Sequence, residues 1–522
     1  MIWEPYSDSE QSDPSQRLNV IKEWLNECQS KHVACNRSSE QGRRLPTRVL
    51  KITPQDAPIP FTIQLYESNG ESAPYIALSH CWGTSVPLRT LHSNLKQHKQ
   101  GIAFEALPLS YSDIVAKAFY LGFQYLWIDS LCIIQDDNED WEVEAARMAD
   151  VYSNAALTFA ATEAADPSEG CCPLYSRAFA IPLPDGDKAL IRFQDHLNLN
   201  SRDAALNKRG WALQEAALSR RMVCFDNDQL LWKCTSRQES EDGLRTVEEP
   251  TPGAGQWNLW ACLENLGGEK SYAFWYRMME DYSHRKLSFE KDKQPALAGI
   301  VEVFEKHIND TPLSGLWRED LVNGLLWRAH EPGERVSSSG VVPSWSWTSV
   351  SGPVSWGRSF FSIEPEDKLE VISAEVKWAG RPMTSPIAAA PLRVCGRMRK
   401  VKVVRNANTA YLHEVDESPV PGDKQEETPE ILGYCHLDVL GFEGLQVWCL
   451  EVYHGLQRPG PEDPRNRAHR VLLLGALDES GDVCKRLGVG CVWRHSYREG
   501  AIKDSAVKET FLGVPRRTVT IL

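Results

Sequence analysis

The sequence predicts an α/β domain near the N-terminal end, followed by a helical segment and a β-rich C-terminal region. Short, continuously apolar runs alternate with segments of helical periodicity between about residues 71 and 234. Apolar runs of this kind are typical of strands buried on both faces of a parallel sheet. The order strand, helix, strand, helix, strand indicates a doubly wound sheet and not a helix bundle.

Two strands form the centre of the predicted sheet. The first, Tyr75–Ser79, is followed by a loop of small and aromatic residues, 80–83, and the second, Tyr125–Ile128, ends at Asp129. Both strands are short and continuously apolar, and a helix separates them, so we expect them to be parallel neighbours. Further strands are expected at 155–161, 222–225 and 229–234.

The helices between these strands have recognisable ends. The spacing Ser110-x-x-Asp113 resembles a capping box and predicts the start of the first helix, and Gly122 is placed to end it. The second helix follows a polar loop and has one face that should be buried. That face contains Trp141, Glu144, Ala145, Met148, Val151 and Tyr152.

Outside the α/β domain, which we assign to residues 71–234, the chain divides into four predicted regions. Residues 1–70 are expected to be helical and extended, and residues 235–256, rich in Ser, Glu, Pro and Gly, to be a linker. Residues 257–342 have a helical pattern, and residues 343–522 have a pattern of short strands.

Composition and charge exclude several classes of protein. Hydrophobic residues make up 42% and charged residues 25% of the 522 residues, which excludes a disordered or fibrous chain. The net charge of −14 makes neither nucleic acid nor an anionic membrane an expected partner. No apolar run approaches the ~20 residues that span a bilayer, and the first residues do not resemble a secretory signal. The 14 cysteines have no paired spacing, which is typical of reduced thiols in the cytoplasm, where we expect the protein.

A group of three soft metal ligands follows the first predicted helix. Cys28, His32 and Cys35 lie close together in sequence, but a structural zinc site needs four ligands and no fourth lies nearby. The sequence therefore predicts buried cysteines and no metal at this position.

Reactive side chains follow the strand ends, where open parallel sheets bind their ligands. They lie in the loop after Ser79, at Asp129, and on the helix that begins near Asp140. Glu144 stands out because it lies on the face that should be buried, where loss of hydration would raise the carboxyl pKa. The structural alternative is an ion pair between Glu144 and Arg147, or a hydrogen bond from backbone amides to the Glu144 carboxylate.

A cysteine nucleophile is a rival chemistry. Cys81 follows His80 directly, and Cys132 lies after the second strand. Adjacent residues of a strand point to opposite faces, so His80 is poorly placed to activate Cys81. The sequence contains no Walker A, GxGxxG, GxSxG or HExxH motif.

Three longer stretches resemble a known family. They are YIALSHCWG from Tyr75, the segment beginning LGFQYLWIDSLCIIQDDNEDW at Leu121, and RGWALQEAALSRRMVCF from Arg209. Together they resemble the fungal heterokaryon incompatibility (HET) domain over about residues 75–215. WLNECQSKHVAC near the N-terminus and PSWSWTSVSG further on also resemble that family.

The resemblance implies an intracellular fungal protein of non-self recognition, whose HET domain triggers programmed cell death. The HET domain is in turn remotely similar to the Toll/interleukin-receptor (TIR) domain, a flavodoxin-like parallel sheet with flanking helices. Enzymatic TIR domains cleave NAD+ with a glutamate that follows a tryptophan, and Trp141-x-x-Glu144 occupies the corresponding place. Other TIR domains are adaptors, so the alternative is a non-catalytic module that acts through protein partners and self-association.

The resemblance also implies roles for individual residues if the domain hydrolyses NAD+. Glu144 would hold the ribose hydroxyls and stabilise the oxocarbenium-like ribose, and Trp82 or Trp141 would stack on a ring of the substrate. Independently of the resemblance, Arg209 is expected to pair with a carboxylate such as Glu215 or Asp129, and the functional alternative is that its planar guanidinium faces the diphosphate of a nucleotide. NAD+ would be the substrate, and neither a metal nor a cofactor is required. The expected substrate-binding residues are Ser79, Cys81, Trp82, Gly83, Asp129, Trp141 and Arg209.

Overall fold

The chain forms two compact units. The computed structural model describes residues 14–36, 44–56, 59–84, 88–171, 178–182, 188–192, 203–226, 229–243, 246–248, 258–263, 266, 269–336, 342–357, 367–406, 409–415, 431–441, 444–456, 467–497, 511 and 513–522. Unit 1 comprises Met1–Gly267, Arg285–Leu287 and Ala296–Val303, and unit 2 comprises Gly268–His284, Ser288–Pro295 and Phe304–Leu522.

Unit 1 is built on a sheet that has nine strands within the described residues. Its helices are α1 (Pro14–Lys31), α2 (Val33–Asn36), α3 (Leu95–Gln100), α4 (Leu109–Tyr120), α5 (Asp129–Cys132), α6 (Asn138–Asn154), α7 (Gly210–Leu218) and α8 (Leu259–Leu263). Its strands are β1 (Arg48–Pro54), β2 (Phe61–Glu67), β3 (Ile76–Ser79), β4 (Tyr125–Trp127), β5 (Leu157–Ala161), β6 (Ala178–Pro182), β7 (Lys188–Arg192), β8 (Arg221–Phe225), β9 (Leu230–Cys234), β10 (Arg237–Ser240) and β11 (Thr246–Glu248). The strand order is β11-β10-β9-β8-β5-β3-β4-β1-β2, and β6 and β7 form a separate hairpin.

The centre of this sheet is parallel. Strand β3 pairs with β4 on one side and with β5 on the other, and β5 pairs with β8, all in parallel. Every residue of β3 and β5 is buried, as their continuous apolar sequences require. The prediction that the two central strands are parallel neighbours is therefore confirmed. The parallel core has the order β4-β3-β5-β8.

Antiparallel strands extend the sheet beyond the predicted domain at both edges. Strand β1 pairs with β4, and β2 pairs with β1, so part of the region before residue 71 belongs to the sheet. At the other edge β10 and β11 lie within the segment expected to be a linker, of which 244–245 and 249–256 fall outside the described residues. In β2 the residues Phe61, Ile63 and Leu65 are buried and alternate with more exposed ones, as in a strand with one covered face.

For the helices of unit 1, the prediction of the buried faces is more accurate than the prediction of the helix caps. Helix α4 begins at Leu109 without a side-chain cap, and Asp113 instead accepts a hydrogen bond from the backbone N–H of Cys171 at 3.0 Å. The capping box was therefore wrong. Gly122 has a φ of 84° just after α4, as expected of a helix-ending glycine. Helix α6 buries Glu144, Ala145, Met148, Ala149, Val151 and Tyr152.

Unit 2 is β-rich, as predicted for the C-terminal region. Its helices are α9 (Glu269–Ser283), α10 (Ala298–Ile308), which begins in unit 1, and α11 (Leu321–Gly324). Its strands are β12 (Pro312–Leu313), β13 (Leu316–Trp317), β14 (Arg328–Ala329), β15 (Val354–Ser355), β16 (Asp367–Lys368), β17 (Glu370–Ala374), β18 (Lys377–Trp378), β19 (Ile387–Ala389), β20 (Leu392–Asn406), β21 (Thr409–Glu414), β22 (Ile431–Leu437), β23 (Gln446–Leu456), β24 (Arg467–Ala476), β25 (Val483–Tyr497) and β26 (Arg516–Ile521).

Six long strands of unit 2 close a ring. The antiparallel pairs run in the order β20-β23-β24-β25-β22-β21 and return to β20. A buried ion pair lies in the same unit: Arg486 Nε is 2.8 Å from Asp438 Oδ2, and both side chains are fully buried. The Arg486 guanidinium also lies 3.5 Å from the ring centre of Trp327.

Candidate functional site

A buried carboxylate lies at the carboxyl end of the central strand. Glu215, on α7, is 2% exposed, and its carboxylate accepts a hydrogen bond from the hydroxyl of Ser79, the last residue of β3. Burial raises the pKa of Glu215 to about 7, although Arg209 and the hydroxyls of Ser79 and Tyr152 favour the charged form. A carboxyl group with such a pKa is present in both protonation states near neutral pH.

A second set of hydrogen bonds surrounds Asp129 at the end of the neighbouring strand. Trp82 Nε1 donates to Asp129 Oδ2 at 2.8 Å, and the backbone N–H of Ser130 donates to Asp129 Oδ1 at 2.7 Å. His80 Nε2 lies 3.8 Å from Asp129 Oδ1 and 2.8 Å from the hydroxyl of Tyr111. Burial lowers the pKa of His80 to about 4, so the imidazole is neutral at pH 7.

The loop after β3 is fixed by a glycine. Gly83 has a φ of 70°, and a Cβ at this position would lie 2.0 Å from Asp166 Oδ2. The backbone N–H of Thr84 donates to the same carboxylate oxygen at 3.2 Å. Only glycine permits this backbone so close to Asp166, which holds the loop of Trp82 in place.

Arg209 is half-buried and directly precedes α7. Its positive charge opposes the raised pKa of Glu215 and contributes to the lowered pKa of His80. In the described part of the chain, no ion pair joins Arg209 to Glu215 or Asp129, the two partners that the sequence suggested. The guanidinium therefore acts on this network through its charge, and among the described residues no carboxylate forms an ion pair with it.

Glu144 lies in a different set of contacts. Its Oε1 accepts a hydrogen bond from Thr47 Oγ1 at 2.7 Å, and Arg147 Nη1 lies 3.5 Å away. Burial raises the pKa of Glu144, whereas the Thr47 bond, Arg48 and Arg147 oppose that shift. Only 2% of Glu144 is exposed, so its carboxylate is enclosed and does not line an open cleft. The reason is that β1 brings Thr47 and Arg48 against α6, a packing that the sequence did not indicate.

The remaining residues that the sequence singled out are Trp141 and two cysteines, Cys81 and Cys132. Trp141 packs edge-on against Trp211, with ring centres 6.4 Å apart, and so joins α6 to α7. Cys81 is 7% exposed, and burial raises its thiol pKa to about 11. Burial likewise raises the pKa of Cys132 to about 12. Both thiols are therefore protonated at neutral pH, which disfavours the rival cysteine chemistry.

Several site residues, among them Glu215 and Tyr152, were not selected as functional by the sequence analysis. Glu215 appeared only as a candidate partner of Arg209, although it lies in the helix GWALQEAAL, which is apolar on all sides. An all-apolar helix with a central glutamate indicates a buried carboxylate. Nothing in the pattern identified Ser79 as its partner.

The N-terminal ligand group also differs from the prediction. Cys234, the last residue of β9, lies beside Cys28, His32 and Cys35, and the ligand atoms of all four residues lie within 4.8 Å of one another. The premise that a fourth ligand is missing was therefore wrong, because the fourth ligand comes from a distant strand.

The fold and the network define an α/β domain whose candidate site lies beyond the carboxyl ends of its parallel strands. Residues 75–215 match the family model "Heterokaryon incompatibility protein (HET)". The chain thus contains a HET domain, as the resemblance of its motifs predicted. Ser79, Trp82, Asp129, Arg209 and Glu215 all lie within the matched residues.

A curated relative carries the same family name. Heterokaryon incompatibility protein 6, OR allele, of Neurospora crassa is 36% identical over 89 residues, which cover 16% of this chain and 13% of the relative. The chain therefore spans only a small part of that relative's length. No solved structure matches the chain. In the part of the chain that the structure describes, no helix has the length and apolar character needed to cross a membrane.

Proposed function

We propose that the chain acts in fungal heterokaryon incompatibility through its HET domain, and that the edge of the sheet around Glu215 is its functional centre. One observation carries the proposal: the three motifs that resemble the HET family contribute to one region of the fold. The first motif supplies Ser79 and Trp82, the second supplies Asp129, and the third supplies Glu215 with Arg209. Programmed cell death is the proposed outcome.

The strand order supports a TIR-like, flavodoxin-like domain. The parallel strands β3, β4, β5 and β8 lie in the spatial order second, first, third, fourth. The flavodoxin-like order 2-1-3-4-5 begins in the same way, and its ligands bind where the order reverses, between the first and third strands. In this chain that position lies between β3 and β5, and Ser79 is the last residue of β3.

The proposed activity is hydrolysis of NAD+. The bond between C1′ of the ribose and the nicotinamide nitrogen breaks, nicotinamide leaves as a neutral molecule with the bonding electrons, and water adds to C1′ and releases a proton. A carboxylate stabilises the positive charge that develops on the ribose. The sequence favoured Glu144 for this role. Glu215 is the better placed carboxylate because it shares a network with Ser79 and Arg209.

The second candidate function is a non-catalytic death-signalling adaptor that acts through protein partners and self-association. It is favoured by the 2% exposure of both Glu144 and Glu215, since a carboxylate that contacts substrate must first become accessible. Under this alternative the network around Glu215 stabilises the surface that partners recognise.

The deciding experiment measures two outputs on the same variants. Purified full-length protein is incubated with NAD+ at high protein concentration and nicotinamide release is measured, and death of cells expressing the chain is scored in parallel. If the domain is an enzyme, Glu215→Gln abolishes both outputs. Cell death that persists without NAD+ loss, in wild type and in the variant, supports the adaptor function and refutes hydrolysis.

A further inference from the structure

Four potential metal ligands converge outside the network around Glu215. Cys28, His32 and Cys35 come from the N-terminal helical segment, and Cys234 comes from the end of β9. Their ligand atoms lie within 4.8 Å of one another. The three cysteines are at most 1% exposed, and His32 is half-buried. We call these four residues the Cys3His cluster.

The backbone around the cluster explains how the three N-terminal ligands meet. The backbone N–H of His32 donates to the carbonyl of Cys28 at 3.1 Å, which continues α1 by one residue and places both side chains on one helix face. Helix α2 then turns Cys35 towards them. The side chain of Asn36 holds this turn, because its Nδ2 donates to the carbonyls of Gln29 and His32 at 2.7 and 3.0 Å.

We propose that the Cys3His cluster binds a structural zinc ion in tetrahedral coordination. With Zn–S near 2.3 Å and Zn–N near 2.0–2.1 Å, tetrahedral ligands lie about 3.8 Å apart for two sulfurs and about 3.6 Å for sulfur and nitrogen. The distance between Cys234 Sγ and His32 Nδ1 is 3.4 Å. Four protein ligands leave no position for water or substrate, so the ion has a structural and not a catalytic role.

The charge surrounding the cluster supports a bound cation with thiolate ligands. Arg221 is 1% exposed, and its Nε lies 3.2 Å from Cys28 Sγ. Within the residues that the structure describes, no carboxylate forms an ion pair with Arg221. Three thiolates, a neutral imidazole and Zn²⁺ carry a net charge of −1, which the guanidinium would balance. Without thiolates, the buried charge of Arg221 would have no ion-pair partner among the residues that the structure describes.

Further contacts hold the ligand residues in place, as is typical of a structural metal site. Arg221 Nη2 donates to the carbonyl of Cys35 at 3.1 Å, and the Ser236 hydroxyl lies 3.7 Å from Cys35 Sγ. Such contacts orient the ligands of a metal site. The ion would fasten the N-terminal helix to β9, beside the contact between Trp24 and Trp232, whose ring centres are 6.0 Å apart. The proposed site is independent of the activity proposed for Glu215.

Metal content of the purified full-length protein tests the proposal. We expect about one zinc ion per chain by elemental analysis, and its loss from Cys234→Ser and from Cys35→Ser. The matched control is Cys224→Ser, because Cys224 is a buried cysteine of the same sheet but lies outside the cluster. This control should retain the zinc ion. Zinc retained in Cys234→Ser, or wild-type protein that neither contains nor takes up zinc, would overturn the proposal.

Two measurements on the wild-type chain decide the matter if the serine variants do not fold. Replacement of the metal by Co²⁺ should give the visible bands of tetrahedral cobalt with thiolate-to-cobalt charge transfer. Chelation should speed amide hydrogen exchange in 17–36 while β3 and β5 remain protected. The intact mass of protein purified without reductant is the last check. If it shows a Cys28–Cys35 or Cys35–Cys234 disulfide and no bound metal, the cluster is a redox pair and not a zinc site.

Discussion

Ser79 donates a hydrogen bond to the Glu215 carboxylate, and this bond joins the end of β3 to a helix 136 residues further along the chain. Ser79 is 1% exposed and Glu215 is 2% exposed. Because burial raises the pKa of Glu215 to about 7, the charge of the accepting group changes near neutral pH. The protonation of one buried carboxyl group therefore affects the stability of the central sheet.

The first prediction concerns the pH dependence of stability. The pKa of Glu215 is raised from an ordinary value of 4.5 to about 7, so the folded chain binds this proton more tightly than the unfolded chain. The resulting stabilisation is fully present below about pH 4.5 and is lost as the pH rises through about 7, a change of roughly 3 kcal/mol. Glu215→Gln stays neutral, so its Tm relative to wild type should rise between about pH 5 and pH 8. Parallel pH profiles for the two proteins would contradict this prediction.

The strands that the sequence predicted best are those with unambiguous local patterns. β3 and β4 are continuously apolar, and their parallel pairing follows from the helix between them. Apolar and more polar residues alternate in 61–67, but no local feature of the sequence shows that β2 pairs with β1 or that β1 pairs with β4. Cys234 could not be assigned to the ligands near Cys28 because it is 202 residues from His32, and only the sheet brings them together.

The second prediction tests the loop that carries Trp82. Gly83→Ala requires a side chain at a φ of 70°, and its Cβ would also lie 2.9 Å from the Cα of Asp166. We expect this variant to lose about 2–3 kcal/mol of stability, since both backbone strain and a clash are introduced. Gly70→Ala is the control, because Gly70 has a φ of 81° but nothing within 4 Å of the added Cβ. Its loss should be about 1 kcal/mol, measured by chemical denaturation. Equal losses would show that Asp166 does not restrict the loop.

The third prediction concerns unit 2. Asp438→Asn leaves the fully buried Arg486 without its charged partner, and removing one member of a buried pair typically costs about 3–5 kcal/mol. The contact of Arg486 with the Trp327 ring does not replace a counter-ion. The control is Asp482→Asn: its partner Arg517 lies 2.9 Å away, but the two side chains are 56% and 32% exposed. That variant should change stability by less than about 1 kcal/mol. The stability of both variants is measured by thermal unfolding, which is monitored by hydrogen exchange in β22 and β25. An Asp438→Asn variant as stable as the wild type would contradict the prediction.

The last prediction separates the two roles that remain for Glu144. Its Oε1 is held by Thr47 at 2.7 Å and faces Arg147 at 3.5 Å, contacts that join α6 to the residue preceding β1. Glu144→Gln keeps the shape of the side chain and can still accept a hydrogen bond from Thr47, but it loses the charge opposite Arg147. If Glu144 is structural, Tm should fall and the protein that remains folded should keep its cell-killing activity.

A catalytic Glu144 gives the opposite result. The fold would be retained while cell death and any NAD+ loss fall sharply, because the charge of the carboxylate would be needed by the reacting ribose. Glu142→Gln is the matched control, since Glu142 lies on the exposed face of the same helix, two residues away. Tm, NAD+ consumption and cell death are therefore measured on both variants. A destabilised and fully active Glu144→Gln protein would exclude the catalytic role of Glu144 and leave Glu215 as the carboxylate to test.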